Sequence, residues 1–392
     1  MFLQRKVKVL ELASVLAGPS VGQFFAELGA DVIKVENLRT GGDVTRTWKL
    51  KGEQTDSRSA YFCSVNWGKR SIALDLAVVE GQSIVHELAK TSDIVVASYK
   101  PGDAAKLRVD YESLSALNPK IIYGEITGYG SNNSRVGYDA IIQAESGFMS
   151  LNGEPSGPSL KMPVALMDVL AGHHLKEAIL VALLNKELSG NGSHVQVSLI
   201  QAAVASLVNQ ATNYLVAHHL PQKQGSSHPN IAPYGDVFRT KDNKELILAV
   251  GTDRQFADLC SILNLDHLSF SPEFSTNKER VKNREKLFEE LQRVIENRTG
   301  EELQKHLNQR KVPAGIIQNL EEVFKMPEVN GILLNSGAFS GIKSFVGHSH
   351  EHKTSHFLPP PKYGEHTDFI LQESLKYSSE TAKSLREKGV IA

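Results

Sequence analysis

A chain of 392 residues, 41% of them hydrophobic, is long enough for a large core and for two domains. Its 43 basic and 44 acidic residues nearly cancel, which excludes the basic excess expected of a protein whose main partner is nucleic acid or an anionic membrane. The two cysteines, Cys63 and Cys260, have neither metal-ligand spacing nor the pattern of a disulfide framework, so a reducing, cytoplasmic setting is expected.

Arg5, Lys6 and Lys8 precede an apolar stretch and so imitate a secretory signal. Glu11 interrupts that stretch, however, and the segment runs on into a strand–helix–strand pattern, which argues for folded structure. Val7–Leu12 reads as a strand, Ala17-Gly18-Pro19-Ser20 as a turn, Val21–Leu28 as a helix stopped by Gly29, and Val32–Glu36 as the next strand. Further strands are expected at Ser71–Leu76, Asp93–Val96 and Ile121–Ile126, with helices near 79–90 and 111–117 between them. Such alternation predicts an α/β fold, a parallel sheet covered by helices on both faces. A long apolar helix spans about Asp168–Leu188, a strand His194–Leu199 follows, and a second apolar helix runs to about Ala217. Pro, Gly and Ser crowd 218–233 as a linker. A second α/β pattern follows, with a strand at Leu246–Val250 and charged helices around 275–310. The expected organisation is a large domain over 1–217, a linker and small domain over 218–325, and a C-terminal segment, 326–392, returning to the large domain. No run approaches the ~20 apolar residues that span a bilayer.

Candidate sites follow from this frame. A dinucleotide site would need Gly-x-Gly-x-x-Gly after the first strand, but the turn Leu16-Ala17-Gly18-Pro19 has one glycine, and after Gly128-Tyr129-Gly130 the third glycine position is Asn133. No Walker sequence is present. His348, His350 and His352, with His356 nearby, have the alternate spacing of one strand face, although the polar residues between them fit a solvated loop, and no metal is expected. Asp168 is a lone acid among apolar residues at a helix start. An ordinary N-cap role would explain it, while its apolar flanks imply burial, which for a carboxylate needs a reason.

Several segments together resemble the class III CoA-transferases, the family that includes formyl-CoA:oxalate, carnitine and bile-acid-inducible CoA-transferases. They are Val9–Leu12 with Leu16–Pro19, Leu28–Glu36 with Gly42-Asp43, Lys69–Leu76, Lys100-Pro101-Gly102, Asn118-Pro119, Gly137-Tyr138-Asp139, Met167-Asp168 with Gly172, Pro229–Tyr234, Val312–Gly315 and Gly364–Thr367. The resemblance covers the chain in order. It implies a large doubly wound, Rossmann-like domain built from both ends of the chain, a smaller inserted α/β domain, and an interlocked, ring-like homodimer. It also implies an acyl-CoA:carboxylate CoA-transferase that works through anhydride and aspartyl-CoA thioester intermediates, with acyl-CoA and a carboxylic acid as its partners. Asp168 would be the catalytic residue. Leu16, Ala17, Leu74, Ser98, Tyr99, Lys100 and Lys106 would bind CoA, and Tyr138 and Asp139 would lie near the thioester. Coenzyme A enters that chemistry as substrate, and no metal or redox cofactor is required of it.

Leu16 stands where formyl-CoA:oxalate transferases carry glutamine, and no glycine-rich loop is found between 218 and 260, so oxalate and formate are not the expected acids. The turn Ser98-Tyr99-Lys100 replaces the family's usual Asn-Phe-Arg, which keeps a positive charge but loses a bidentate guanidinium. A related activity, α-methylacyl-CoA racemisation, needs two acid/base groups. Racemases carry histidine where this chain has Tyr138, and a glutamate in a segment resembling Val250–Phe256, which here is one residue shorter and has none. A non-catalytic acyl-CoA-binding module is the other alternative, and a buried nucleophile argues against it.

Overall fold

The computed structural model describes residues 6–347 and 357–392. Six strands make one sheet: β1 (Lys8–Leu12), β2 (Asp31–Asn37), β3 (Lys69–Leu74), β4 (Ile94–Ala97), β5 (Ile122–Thr127) and β6 (Ser193–Ser198). Their order is β3-β2-β1-β4-β5-β6, and every neighbouring pair is parallel. This is the doubly wound arrangement, in which the strand order reverses between β1 and β4 and a crevice forms beyond the carboxyl ends at that point.

The period-2 alternation of the strands sends side chains to two separate cores. Val9, Val32, Ile94 and Val96 pack with helices α1 (Ala17–Glu27) and, later in the chain, Leu166–Ser189. Leu10, Ile72, Val95 and Tyr123 pack on the other face with α2 (Val79–Lys90), α3 (Tyr111–Leu117) and residues of the C-terminal segment such as Ile370 and Leu385. Helices on both faces are what a parallel sheet requires, since its strands are buried on each side. With α4 (Asp139–Glu145), the helix Leu166–Ser189 is α5.

Two boundaries differ from the sequence reading. Helix α1 begins at Ala17, four residues ahead of Val21. Pro19 had suggested a turn, but it occupies the first helical turn, where a missing N–H removes no hydrogen bond. The apolar stretch after β6 is two helices, Leu199–Ala205 and Asn209–Leu215, broken where Val208 has a positive φ.

Edge strand β3 is covered by the C-terminal segment. The Gly68 N–H donates to the Leu358 carbonyl, the His366 N–H to the Ser71 carbonyl, and the Asp75 N–H to the Val390 carbonyl, while Leu74 and Ile391 form an antiparallel bridge.

The described residues divide into two compact units. One comprises residues up to Phe148, Lys161–Ala217 and Gly331 onward; the other is Met149–Leu160 with His218–Asn330. The second unit contains an antiparallel sheet of β7 (Tyr234–Arg239), β8 (Glu245–Ala249) and β9 (Ala314–Ile316), packed through Phe238, Leu246 and Leu248 against helices that include Asp253–Leu263 and Arg284–Ile295. Segment 149–160, read from sequence as part of the large domain, belongs to this unit, where the Gly225 N–H donates to the Gly153 carbonyl at 3.1 Å.

Among the described residues no helix is long and apolar enough to cross a membrane, and no group of His, Cys, Asp and Glu is arranged to hold a metal. The histidines at 348, 350, 352 and 356 lie outside the described residues. Cys63 and Cys260 are both buried and free.

Candidate active site

A cavity of about 600 Å³ opens at the carboxyl ends of β1 to β4, beside the point where strand order reverses. Ser14, Arg39, Asp75, Leu76, Ser98 and Tyr99 are among its lining residues. Arg39 sits in a one-turn 3-10 helix, Leu38–Thr40, on the loop after β2, and its side chain is 60% exposed. Asp75 tethers it, accepting from Arg39 Nε with both oxygens at 2.9 Å, which leaves the rest of the guanidinium toward solvent and the cavity. Burial pushes the Tyr99 phenol up to about 12, so it is a neutral donor at ordinary pH.

On the α1 side of the sheet runs a row of buried charges, of which Lys34, Glu36 and Asp43 reach the cavity lining. Glu11, Lys34 and Lys69 occupy positions of β1, β2 and β3 that alternation would give to solvent, but α1 covers them. Lys34 Nζ lies 3.0 Å from Glu11 Oε1 and 2.9 Å from Asp43 Oδ2, and Lys69 Nζ lies 2.7 Å from Glu11 Oε2. Gly22 makes the room, since a Cβ there would fall 1.8 Å from Glu11 Oε2. Burial works against the Lys34 ammonium, yet the carboxylates of Glu11, Asp43 and Glu36 outweigh it and raise its pKa. For Lys69, with Glu11 as its main charge partner, burial prevails and lowers the ammonium to about 8. Nearby, Arg46 clasps Glu36 through Nε at 2.8 Å and Nη2 at 2.6 Å.

The turn from β1 into α1 is strained. Val15 has φ +73°, a left-handed conformation rare for a β-branched residue and costing roughly 1–3 kcal/mol. Its N–H donates to the Asp43 carboxylate, at 3.3 Å from Oδ1 and 3.2 Å from Oδ2. Asp43 also accepts from the Thr45 N–H at 3.1 Å and the Thr45 hydroxyl at 2.8 Å. Burial alone would raise the Asp43 carboxyl, but the Lys34 ammonium and these donors hold it below the usual range.

Helices α1 and α5 run parallel, in step. Lys176 Nζ sits 5.4 Å from the Phe24 ring centre, and a Cβ on Gly172 would fall 2.5 Å from Ser20 Oγ and 3.3 Å from the Ala17 carbonyl. The pairs 24/176 and 20/172 are one turn apart, and one turn further back brings Leu16 level with Asp168.

Asp168 lies in the first turn of α5, whose N-cap is Ala165, so it does not play the N-cap role. It forms no ion pair among the described residues, and burial, with the neighbouring Asp139 carboxylate, raises it to about 7. The segment before it is fixed by α4. Asp139 Oδ1 accepts from the Met167 N–H at 2.9 Å, and the buried Gln143 accepts from the Met162 N–H at 2.8 Å while donating to the Met162 and Val164 carbonyls. The Tyr61 phenol, packed edge-on against Trp48, is raised by burial and then by the charges of Asp168, Asp139 and Asp43.

Residues 5–367 match the model of CoA-transferase family III. The chain belongs to this family. It is 40% identical to the succinate–glutarate CoA-transferase of Agrobacterium fabrum, with 94% of each chain covered. It is 36% identical to the succinyl-CoA:glutarate CoA-transferase of Homo sapiens, covering 98% of this chain and 89% of the relative. Among solved structures, a CAIB/BAIF family protein from Brucella suis superposes with a TM-score of 0.86 at 37% identity, over 94% of this chain and 98% of that one. The chain is therefore an enzyme that transfers coenzyme A between an acyl-CoA and a carboxylate; racemisation and passive binding are set aside.

In this transferase the residues expected from sequence are spread unevenly. Ser98 and Tyr99 line the cavity. Leu16 and Ala17 form the N-terminus of α1, level with Asp168, and Asp139 is bonded to the turn that carries Asp168. Tyr138, at the N-cap of α4, is 68% exposed. Lys100 is exposed beyond the cavity wall, and Lys106 is engaged at the surface with Asp103 at 2.8 Å. The Leu74 side chain is fully buried in the α2-side core, and the residues that follow it at that strand end, Asp75, Leu76 and Ala77, make the wall. Sequence reasoning missed Arg39, Tyr61 and Gln143. Arg39 follows a strand end directly, which is a detectable signal for an anion-facing cation; Tyr61 and Gln143 carried none.

Proposed function

We propose that this family III transferase exchanges CoA between short dicarboxylic acids, such as succinate and glutarate, with Asp168 as the nucleophile. The observation that carries the reading is the Asp168 carboxyl itself, partly buried in the first turn of α5, without an ion-pair partner among the described residues and raised to about 7. The substrate class follows the relatives of 36–40% identity, whose names pair these two acids.

An ionised Asp168 oxygen attacks the thioester carbon of the acyl-CoA. The C–O bond forms, the C–S bond breaks, and the CoA thiolate leaves, giving an acyl–aspartyl anhydride. The thiolate then attacks the aspartyl carbonyl carbon and expels the donor acid as its carboxylate, leaving an aspartyl-CoA thioester. The acceptor carboxylate reverses the two steps. Each addition develops an oxyanion, which the uncapped start of α1 can stabilise. The phosphates and adenosine of CoA would occupy the 600 Å³ cavity, with Arg39, Ser98 and Tyr99 on its walls.

An interlocked homodimer fits exposed apolar side chains on α5 and after it, including Leu184 at 63%, Leu188 at 82% and Val216 at 76%. Sedimentation at nanomolar concentration should give a dimer. The buried thiols fit the reducing cytoplasm.

The test is a covalent label. Mixed with succinyl-CoA and no acceptor, then reduced with borohydride, the enzyme should carry a mass change on the peptide containing Met167-Asp168-Val169. A label on Asp139, or normal turnover by Asp168→Asn, would falsify the assignment.

A further inference from the structure

Val15 holds a conformation that its own side chain disfavours, at the turn that leads into Leu16 and so to the level of Asp168. Such a conformation persists only where its surroundings over-determine it. Those surroundings centre on one ion pair, with the Ser14 N–H also donating to Ser98 Oγ at 3.4 Å. Lys34 Nζ donates to the Ala13 carbonyl at 2.8 Å, on the strand side of the turn, and lies 2.9 Å from Asp43 Oδ2. Asp43 in turn accepts the Val15 N–H, on the helix side of the same turn. Lys34 is fixed from below by Glu11, whose other oxygen holds Lys69. Lys69 donates at 2.8 Å to the Pro19 carbonyl, inside the first turn of α1. The buried charges thus grip the chain at Ala13, Val15 and Pro19 and leave Leu16 and Ala17 between the grips.

We propose that the Lys34–Asp43 pair is a positioning device for CoA transfer: by enforcing the left-handed Val15, it sets where the start of α1 stands against Asp168. The inference rests on Asp168 being the nucleophile. Every group that the Asp43 carboxylate contacts here is a donor, namely the Val15 N–H, the Thr45 N–H and hydroxyl, and the Lys34 ammonium. Only a carboxylate serves all four, since an amide offers one oxygen and turns its own donors on the rest. Asp43 need not touch the reacting atoms, because a displacement of about 1 Å in a group facing the reaction centre lowers the rate on the order of 100-fold.

The test separates the turn from general damage by using glycine, which adopts a positive φ without strain. In steady-state transfer from succinyl-CoA to glutarate, Asp43→Asn should lower kcat about 30-fold or more while KM for the thioester changes less than about threefold. Adding Val15→Gly to Asp43→Asn should restore about tenfold of that loss, because the turn no longer needs enforcing. A direct electrostatic role for Asp43, or loss of stability alone, would not respond to glycine at position 15. If Asp43→Asn does not fold, Thr45→Val carries the test: it removes one donor from the carboxylate, and a kcat loss of about fivefold, reversed by Val15→Gly, supports the proposal. Wild-type kcat in the folded variant, or a loss that Val15→Gly leaves unchanged, overturns it. Asp168→Asn is assayed alongside, so that an active asparagine variant defeats the nucleophile assignment while the glycine rescue judges the positioning role on its own.

Discussion

Two sets of buried acids in the large unit are treated in opposite ways. On the α1 side of the sheet, Glu11, Glu36 and Asp43 are almost sealed from water, and each has a cation within 3.0 Å, supplied by Lys34, Lys69 or Arg46. At the head of α5, Asp168 is less deeply covered, has no such partner among the described residues, and feels another acid in Asp139. A buried carboxylate whose charge is matched stays ionised and serves as a fixed strut; one left unmatched stays close to its own titration and remains free to react. With Asp168 as the proposed nucleophile, chemistry and support would be separated by the presence or absence of a counter-ion.

The strongest way to break this contrast is to remove the unmatched charge. Asp168→Asn should lower kcat by about 1,000-fold or more, on the scale of losing a covalent nucleophile, in a transfer assay with variants of equal CoA affinity. Removing a matching charge should instead act on folding. Arg46→Met leaves Glu36 buried without its ion-pair partner, held only by the Asp43 N–H and the Ser71 hydroxyl, and a loss of about 3–5 kcal/mol is expected from urea unfolding.

The pH dependence sharpens the comparison. Asp168 titrates near 7 in the folded protein against 3.8 as a free side chain, so folding favours its neutral form. That contribution is complete below pH 3.8, is lost as pH rises to about 7, and changes no further above it. Asp168→Asn does not titrate, so its thermal midpoint relative to wild type should climb across that window and then level off. The plateau should be about 2 kcal/mol, discounted for partial solvent contact. The rate of Asp168 labelling should move in the opposite sense, rising as pH passes 7, because only the anion attacks. The smallest effect is expected at the cavity rim, where Arg39→Ala should weaken CoA binding about tenfold by calorimetry, the worth of one charge-assisted contact.

The sequence carried the sheet well and its burial poorly. β1, β2, β4, β5 and α5 announce themselves by period and by punctuation. Val9-Leu10-Glu11-Leu12 and Val32-Ile33-Lys34-Val35-Glu36, however, alternate like strands with one face in water. Helices on both faces are expected of a parallel sheet, yet nothing local reveals how Glu11 and Lys34 are accommodated beneath α1, because that depends on Gly22 and on partners contributed by other strands. Asp168 was legible only through family resemblance, since an acid near a helix start is commonplace. Its isolation from cations is a property of the assembled α1, α4 and α5. The strained Val15 was invisible for a similar reason, as the residue that compels it, Asp43, is 28 positions away.

The cover over β3 has a consequence for how the chain is made. That strand is the rim of the sheet, and the backbone groups that close it come from residues 358, 366, 390 and 391. A ribosome makes them after every strand of that sheet, so while the intervening residues are made the rim stays bare, able to recruit a stray strand from another nascent chain. Disorder introduced near residue 390 should therefore show itself first as poor yield and inclusion bodies, before any defect in the enzyme that does mature.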